Sequence, residues 1–567
     1  MNSLVLLIIT AVAFVFGYRF YSKLLGTGIF RLGDHYSTPA TGRFDSEQGT
    51  APNRHLIFGH HLAALAAGAA ITGSVISVIW GWIPAFLWAV VATVTAAGTY
   101  GLGAIWLSLR YPGLDPAEIA ARVLGPSAYG PFTLIALLLL LLMNAACATI
   151  AAQLFSAFPS AVLPFWGILT IALFLGNYLR GRETHEVVAA SLIALTLSLM
   201  AVWLLGKYPL SLTGALHLES SDYTIALDAT VVWVAVLFTY GYHATRLPMW
   251  KLIRPRGFLT ALLLGTTLLV FYTAVVIDHP NLVAPEFHKD PSIPHTVPWL
   301  FITLTTGAVA GFHLLIANGI TARQIRRESD ARYVGYGGAL ALGLLALSAI
   351  LIGGTGFPSE QDWTQRYASW DAFKDLHQAA VIYVDGFARF AAILGLDPAT
   401  ARTLAAVVVL GLLVATLEAG LRVQKQLLAG LAERYPSVMP GKEKLLIGLA
   451  AFLSAALTLH DGHGLGGLLL WPIFGATDLI FAVFGFVLLT LSLRQLERPV
   501  ATVLLPLIFL LAAANWALTI QMIQWWSMND WILFALGIIL IIIELGVTLL
   551  VFNFLKSSPR PQLDSVP

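Results

Sequence analysis

The residues in this chain that could do chemistry are few, and they are costly where they stand. Glu418, Asp478 and Glu544 lie inside long apolar runs, as do His60, His61 and His313, with His243 and Arg246 at the end of another run. A charged side chain in hydrocarbon costs at least about 2.5–3.5 kcal/mol on insertion scales, so each needs a partner, an ion or a cargo. Buried carboxylates can take a proton or a cation, and imidazole titrates near neutral pH. Asp478 follows Trp471-Pro472-Ile473-Phe474-Gly475-Ala476-Thr477. Pro472 removes an amide donor and Gly475 lowers helix propensity, which predicts a helix broken at this point. Broken helices at membrane depth expose carbonyls and amides that transporters use to hold cargo, so Thr477 and Asp478 are expected to bind substrate, with Asp478 taking a coupling proton or cation. The alternative is a proline kink with a packed Thr-Asp pair.

Phe58-Gly59-His60-His61 opens a run whose continuation through Gly68, Thr72 and Ser74 is built from small residues, the mark of a helix buried within a bundle. Adjacent histidines point about 100° apart on a helix and cannot comfortably share one metal, so neither a metal site nor a cofactor is expected. His60, His61, Gly68 and Thr72 are read as substrate- or proton-binding, against a plain interfacial hydrogen-bonding role. His313 follows Gly307 and Gly311, a small-xxx-small spacing that implies tight packing, and its imidazole is expected to be hydrogen-bonded within the bundle. Glu418 and Arg422 stand four apart on one helical face and could neutralise one another near the inner boundary; Glu418, like His313, is also read as a substrate- or ion-binding residue. Glu544, flanked by Ile541, Ile542, Ile543 and Leu545, is expected to pair with a neighbouring helix.

The elements that hold these residues are set by composition. The 567 residues are 58% hydrophobic and only 11% charged, where a soluble domain carries roughly 25% charged residues. Mean hydropathy is +0.80. This excludes a soluble or disordered chain, and the single cysteine, Cys147, excludes an intrachain disulfide framework. A net charge of +2 gives no reason to expect a nucleic-acid partner. A bilayer core of about 30 Å needs about 20 apolar residues in a helix. Fifteen such runs lie near 3–21, 59–80, 82–109, 131–157, 160–179, 187–206, 229–245, 258–277, 298–319, 334–355, 402–421, 445–460, 468–491, 500–522 and 530–554. The fold class is therefore all-α: a polytopic transmembrane helix bundle of about fifteen spans with broken helices, and lipid as its constant partner.

The first run has no basic stretch before it and no small-residue cleavage site after it, so it is read as a retained helix. With the N-terminus outside and the C-terminus inside, the inward loops hold 26 of the 32 Lys and Arg residues, as the positive-inside rule expects. Residues 356–400 then form an extracytoplasmic segment between bundles 1–355 and 401–567. A helix near 376–395, apolar on one face and carrying Asp385 and Arg389 four apart, is expected to lie on the surface. No phosphate-binding loop, nucleophile elbow or H-E-x-x-H zinc helix is present, which argues against an enzyme and leaves a gradient to drive any active transport.

Several strings together resemble the carbon starvation protein A family of bacterial inner-membrane transporters. Phe58-Gly59-His60-His61 with its small residues is similar to that family's F-G-H-H stretch, and Leu247-Pro248-Met249-Trp250 through Pro255-Arg256 to its L-P-V-W-x-L-x-x-P-R string. Gly311-Phe312-His313 through Thr321, continued through Glu328, Asp330 and Gly335-Tyr336-Gly337, Trp471-Pro472-Ile473-Phe474-Gly475, and Thr416-Leu417-Glu418 with Arg422 look like further family segments in the same order. The chain departs from the pattern at Ala66-Ala67-Gly68-Ala69-Ala70-Ile71, which lacks a proline, and at Ala476-Thr477-Asp478, where the family shows A-N-Q. The resemblance implies a secondary active transporter in the bacterial inner membrane that imports short peptides or pyruvate-like carboxylates, coupled to protons. The readings it competes with are a channel and a histidine-bearing membrane subunit holding haem or metal through His60, His61, His243 and His313.

Overall fold

The structure, a computed structural model, describes all residues except 42–52, 67, 113, 181, 183, 213–215, 221–222, 309, 374, 437–441 and 557–567. Ala67 of the small-residue stretch and the tail beyond Lys556 thus lie outside the described residues. Over their described residues, all fifteen apolar runs are largely helical. Ten form helices long and apolar enough to cross a membrane: Ser3–Ile29, Trp82–Arg110, Pro126–Ala157, Pro159–Leu179, His185–Leu205, Ile253–Asp278, Arg332–Thr355, Pro398–Arg434, Ile473–Gln495 and Ala501–Ser527. An eleventh run is a pair, Arg54–Leu65 and Ala69–Trp80, bent by 51°. The remaining four are Ala229–Arg246, the interrupted pair Thr296–Ala308 and Phe312–Ile316, Glu443–Leu459, and Trp531–Lys556. The chain is a multi-pass membrane protein. One element departs from the all-α expectation: a short antiparallel hairpin, Leu216–Ser220 with Tyr223–Leu227, pairs Leu216 with Leu227.

Burial is graded from the centre outwards. The most apolar stretches of Pro398–Arg434 and Ile473–Gln495 are wholly buried, whereas those of Ser3–Ile29 and His185–Leu205 are 28% buried and present their side chains outwards. An apolar exterior is what lipid requires, because no hydrophobic drive separates core from surface there. The 37-residue central helix starts at Asp397, whose carboxylate accepts the Thr400 amide at 2.9 Å, with Pro398 in the first turn where no amide donor is missed. At 1.5 Å per residue it runs about 55 Å, longer than the bilayer core.

Two sequence expectations are corrected here. The helix carrying Asp478 is not broken beside it: Trp471–Gln495 is continuous, and Pro472 lies in its first turn. A first-turn proline needs no hydrogen-bonded amide and its fixed φ suits a helix start, so it begins this helix rather than rupturing it. The second correction concerns His377–Ile393, expected on the surface. It buries Ala380, Tyr383, Val384, Phe387, Phe390 and Ala391 and packs on the central helix and on Ala69–Ser77. Its charges do not pair with each other: Asp385 accepts from Arg402 at 2.7 Å and Arg389 donates to the Gly356 carbonyl.

Candidate functional site

The ruptures that the sequence placed at Pro472 occur in two other segments, and they meet. The first separates Leu65 from Ala69, where Gly68 takes φ +69°, a left-handed conformation that a side chain disfavours. The second separates Ala308 from Phe312. The segments before and after these breaks pack on one another. A break inside a membrane leaves carbonyls and amides without helical partners, and each unsatisfied group there is expensive. Side chains from four helices supply the missing partners. Asp478 Oδ1 accepts the Phe312 amide at 3.1 Å, and the Tyr100 hydroxyl donates to the Gly311 carbonyl at 3.4 Å. Thr416 donates to the Ala64 carbonyl at 3.0 Å, and His313 hydrogen-bonds the Leu65 carbonyl. Gly311 lies so close to the Asp478 helix that a β-carbon there would stand 2.2 Å from the Asp478 carbonyl oxygen.

Asp478 is therefore at a broken helix, but as the partner of another segment's break. His313 stands beside the Leu65 carbonyl, so its expected hydrogen bond within the bundle is present through one nitrogen, while Nε2 has no partner among the described residues. His61, 1% exposed, shares a 2.8 Å hydrogen bond with Thr321. Thr72 and Thr477 turn their hydroxyls onto their own helices, to Gly68 at 3.1 Å and Ile473 at 2.7 Å, a bond that satisfies the hydroxyl locally.

His60 belongs to a second layer. It points away from His61, against Gly257, where a β-carbon would meet its Nδ1 at 2.8 Å, and neither of its ring nitrogens has a hydrogen-bond partner among the described residues. Around it stand the guanidinium groups of Arg254, Arg256 and Arg422. Arg254 donates to Gln324 at 2.8 Å. Arg422 acts on Glu418 from its own helix, as the four-residue spacing implied, but the cation in direct contact is Arg256. The Glu418 carboxylate lies 3.1 Å from Arg256 and accepts the Tyr240 hydroxyl, while Arg422 donates to the carbonyls of Thr245 and Leu247 at 3.2 and 2.7 Å. A guanidinium has five donors in a rigid fork, so it takes up carbonyls on a neighbouring helix end in preference to the weak contact along its own helix. Arg254, Arg256 and Tyr240 were missed from the sequence, where both arginines counted as inward loop charges. Their signal was present in the Leu247 to Arg256 string. A narrow cavity, lined by Arg256 and Thr260 and otherwise by apolar residues including Phe165, Leu263 and Val407, opens against this layer.

Glu544 meets a neighbouring helix, as expected, accepting a 2.9 Å hydrogen bond from Asn515. Glu328, within the Gln324 to Gly337 string, is fully buried against Arg110 at 2.5 Å and accepts the Gly33 amide at 2.7 Å, which ties the first loop to the bundle. His243 is exposed on its helix. Among the described residues, no three histidine, cysteine or acidic side chains form a metal-holding group.

The family model for carbon starvation protein CstA matches residues 2–358. The chain belongs to that family. The matched region contains both breaks, the two histidines and Arg254 and Arg256; Glu418 and Asp478 lie beyond it, as do the resemblances at Thr416 to Arg422 and Trp471 to Gly475. A relative described as peptide transporter CstA, from Mycobacterium tuberculosis (strain ATCC 25618 / H37Rv), is 29% identical over 62% of this chain and 46% of its own length. One described as pyruvate/proton symporter BtsT, from Escherichia coli (strain K12), is 27% identical over 62% of this chain and 49% of its own length. The chain thus spans about half the length of the curated relatives it matches. Among solved structures, a manganese transporter mutant from Eremococcus coleocola aligns with 90% of this chain and 99% of its own at 13% identity, with a TM-score of 0.39.

Proposed function

We propose that the protein is a secondary active transporter that imports small organic nutrients, short peptides or pyruvate-like carboxylates, together with protons across a bacterial inner membrane. The observation that carries this reading is the meeting of two interrupted helices in the interior of a multi-pass bundle, their backbone hydrogen-bonded by Asp478, Tyr100, Thr416 and His313. Interrupted helices are tolerated at membrane depth only where protein or a water-lined path satisfies them, and such pairs are where secondary transporters bind cargo. The names of the relatives supply the cargo classes, and the charge asymmetry of the loops supports an N-terminus outside and a C-terminus inside. In this reading Gly68, Thr72, His61, His313, Thr477 and Asp478 line or shape the midplane site, and His60 and Glu418 the layer beside it. The test is uptake of labelled pyruvate and of alanylalanine into proteoliposomes under an imposed pH gradient. Saturable accumulation of either one, abolished by a protonophore, is the expected result; linear uptake indifferent to the gradient means that the protein does not work this way.

A further inference from the structure

The layer around Glu418 holds one carboxylate in a contact built to be exchanged. Glu418 and Arg256 are each at most 2% exposed and meet at 3.1 Å through a single Oε2–Nη2 contact, while Arg256 Nε has no hydrogen-bond partner among the described residues. Arg256 Nη1 spends its donor on the Gly411 carbonyl at 3.3 Å. A guanidinium that has settled on its final anion makes two parallel charge-assisted hydrogen bonds; this one does not. Beside it, His60 is buried with both ring nitrogens unpartnered, and Arg256 faces a narrow cavity whose other walls are apolar apart from Thr260. As it stands the cavity, about 10 Å³, holds no more than a water; a cationic fork at one end and apolar walls at the other match the chemistry of a small monocarboxylate with a short aliphatic tail once the site widens.

We propose that the cargo's carboxylate and Glu418 are alternative partners of Arg256, and that Glu418 takes up the coupling proton when the cargo displaces it. This rests on the transporter reading and deepens it by naming the recognised group and the proton carrier. The charges balance. The anion R–COO⁻ arrives on Arg256, which stays protonated; Glu418 loses its cation and accepts one H⁺ from the side of entry. A buried carboxylate without a counter-charge is neutralised by protonation because ionisation there is too costly. Release reverses both steps, so one anion and one proton cross together and no net charge moves. Tyr240 serves both states, donating to the carboxylate and accepting from the acid. The charged or titratable groups around Glu418 are Arg256, Tyr240, Arg422 on its own helix and, beyond the guanidinium groups, His60. The packed helix Tyr129–Ala157 contributes no charged residue.

The experiment uses the full chain and pyruvate as probe. In weakly buffered detergent solution, wild-type binding of pyruvate takes up one proton per site; binding with no proton uptake overturns the proposal without needing any variant. In proteoliposomes, Glu418→Gln retains pyruvate exchange across the membrane but loses accumulation, which in the wild type reaches about tenfold per pH unit of gradient for one-to-one coupling. Arg256→Gln loses both exchange and accumulation, and Arg256→Lys restores exchange in part. Glu418→Gln accumulating pyruvate to the wild-type ratio overturns the proton-carrier role while leaving the transporter reading intact. A wild type that neither binds nor accumulates pyruvate or alanylalanine defeats the transporter reading itself, and the proposal with it.

Discussion

Asp478 and Glu418 are both carboxylates buried in a membrane bundle, yet they are held by opposite means. Asp478 accepts a backbone amide, the donor orphaned by the break before Phe312, and that amide cannot leave without unmaking the fold. Glu418 is held by a side-chain cation and a phenol, both of which can turn to another anion. The first arrangement stabilises an irregular backbone; under the exchange proposed above, the second stores a replaceable partner. The difference teaches that depth alone does not identify a working acid in a transporter: what matters is whether its partner is free to accept something else.

The comparison can be strained from its most sensitive point downwards. Arg256→Ala leaves Glu418 buried without its cation, and removal of one member of a buried pair costs about 3–5 kcal/mol. A thermal melt of the detergent-solubilised protein should fall accordingly, and adding Glu418→Gln should recover much of the loss; equal melting of the single and double variants refutes an energetic link between the two. Next in size is Asp478→Leu, which orphans the Phe312 amide and should cost about 1–3 kcal/mol, whereas Asp478→Asn keeps an acceptor and should cost well under that. Limited proteolysis would register the opened break in the leucine variant. Asn and Leu behaving alike would show that Asp478 works by charge and place it with Glu418. The smallest effect belongs to Glu544→Gln. Its amide oxygen can still accept from Asn515, so stability should stay within about 0.5 kcal/mol and transport unchanged. A transport defect in that variant would add a third acid to the comparison.

Much of the architecture was legible in the sequence because membrane helices are written in long apolar runs, and the buried character of the His60–Ser74 stretch was legible in its small residues. The places where helices break were not. Pro472 carried the obvious signal but sits where proline is harmless, while Gly68 and Gly311 break or border their helices only because distant residues, Thr416 and Asp478, pair with the exposed backbone. The partner of Glu418 was hidden for the same reason. Neighbours four apart on one helix can be read from spacing; an arginine on another helix cannot, and counting Arg254 and Arg256 as loop charges assumed that they face water. The amphipathic His377–Ile393 helix was misplaced because an apolar stripe fits a membrane surface and a bundle groove equally well until the groove is known.

Consecutive imidazoles at positions 60 and 61 join the two layers mechanically. One reaches Thr321 near the breaks and the other faces the arginines around Glu418. The half-helix Arg54–Leu65 that bears them ends at the left-handed glycine. Any roll of that rod about its long axis that draws His61 off Thr321 swings His60 past the arginines through the same angle.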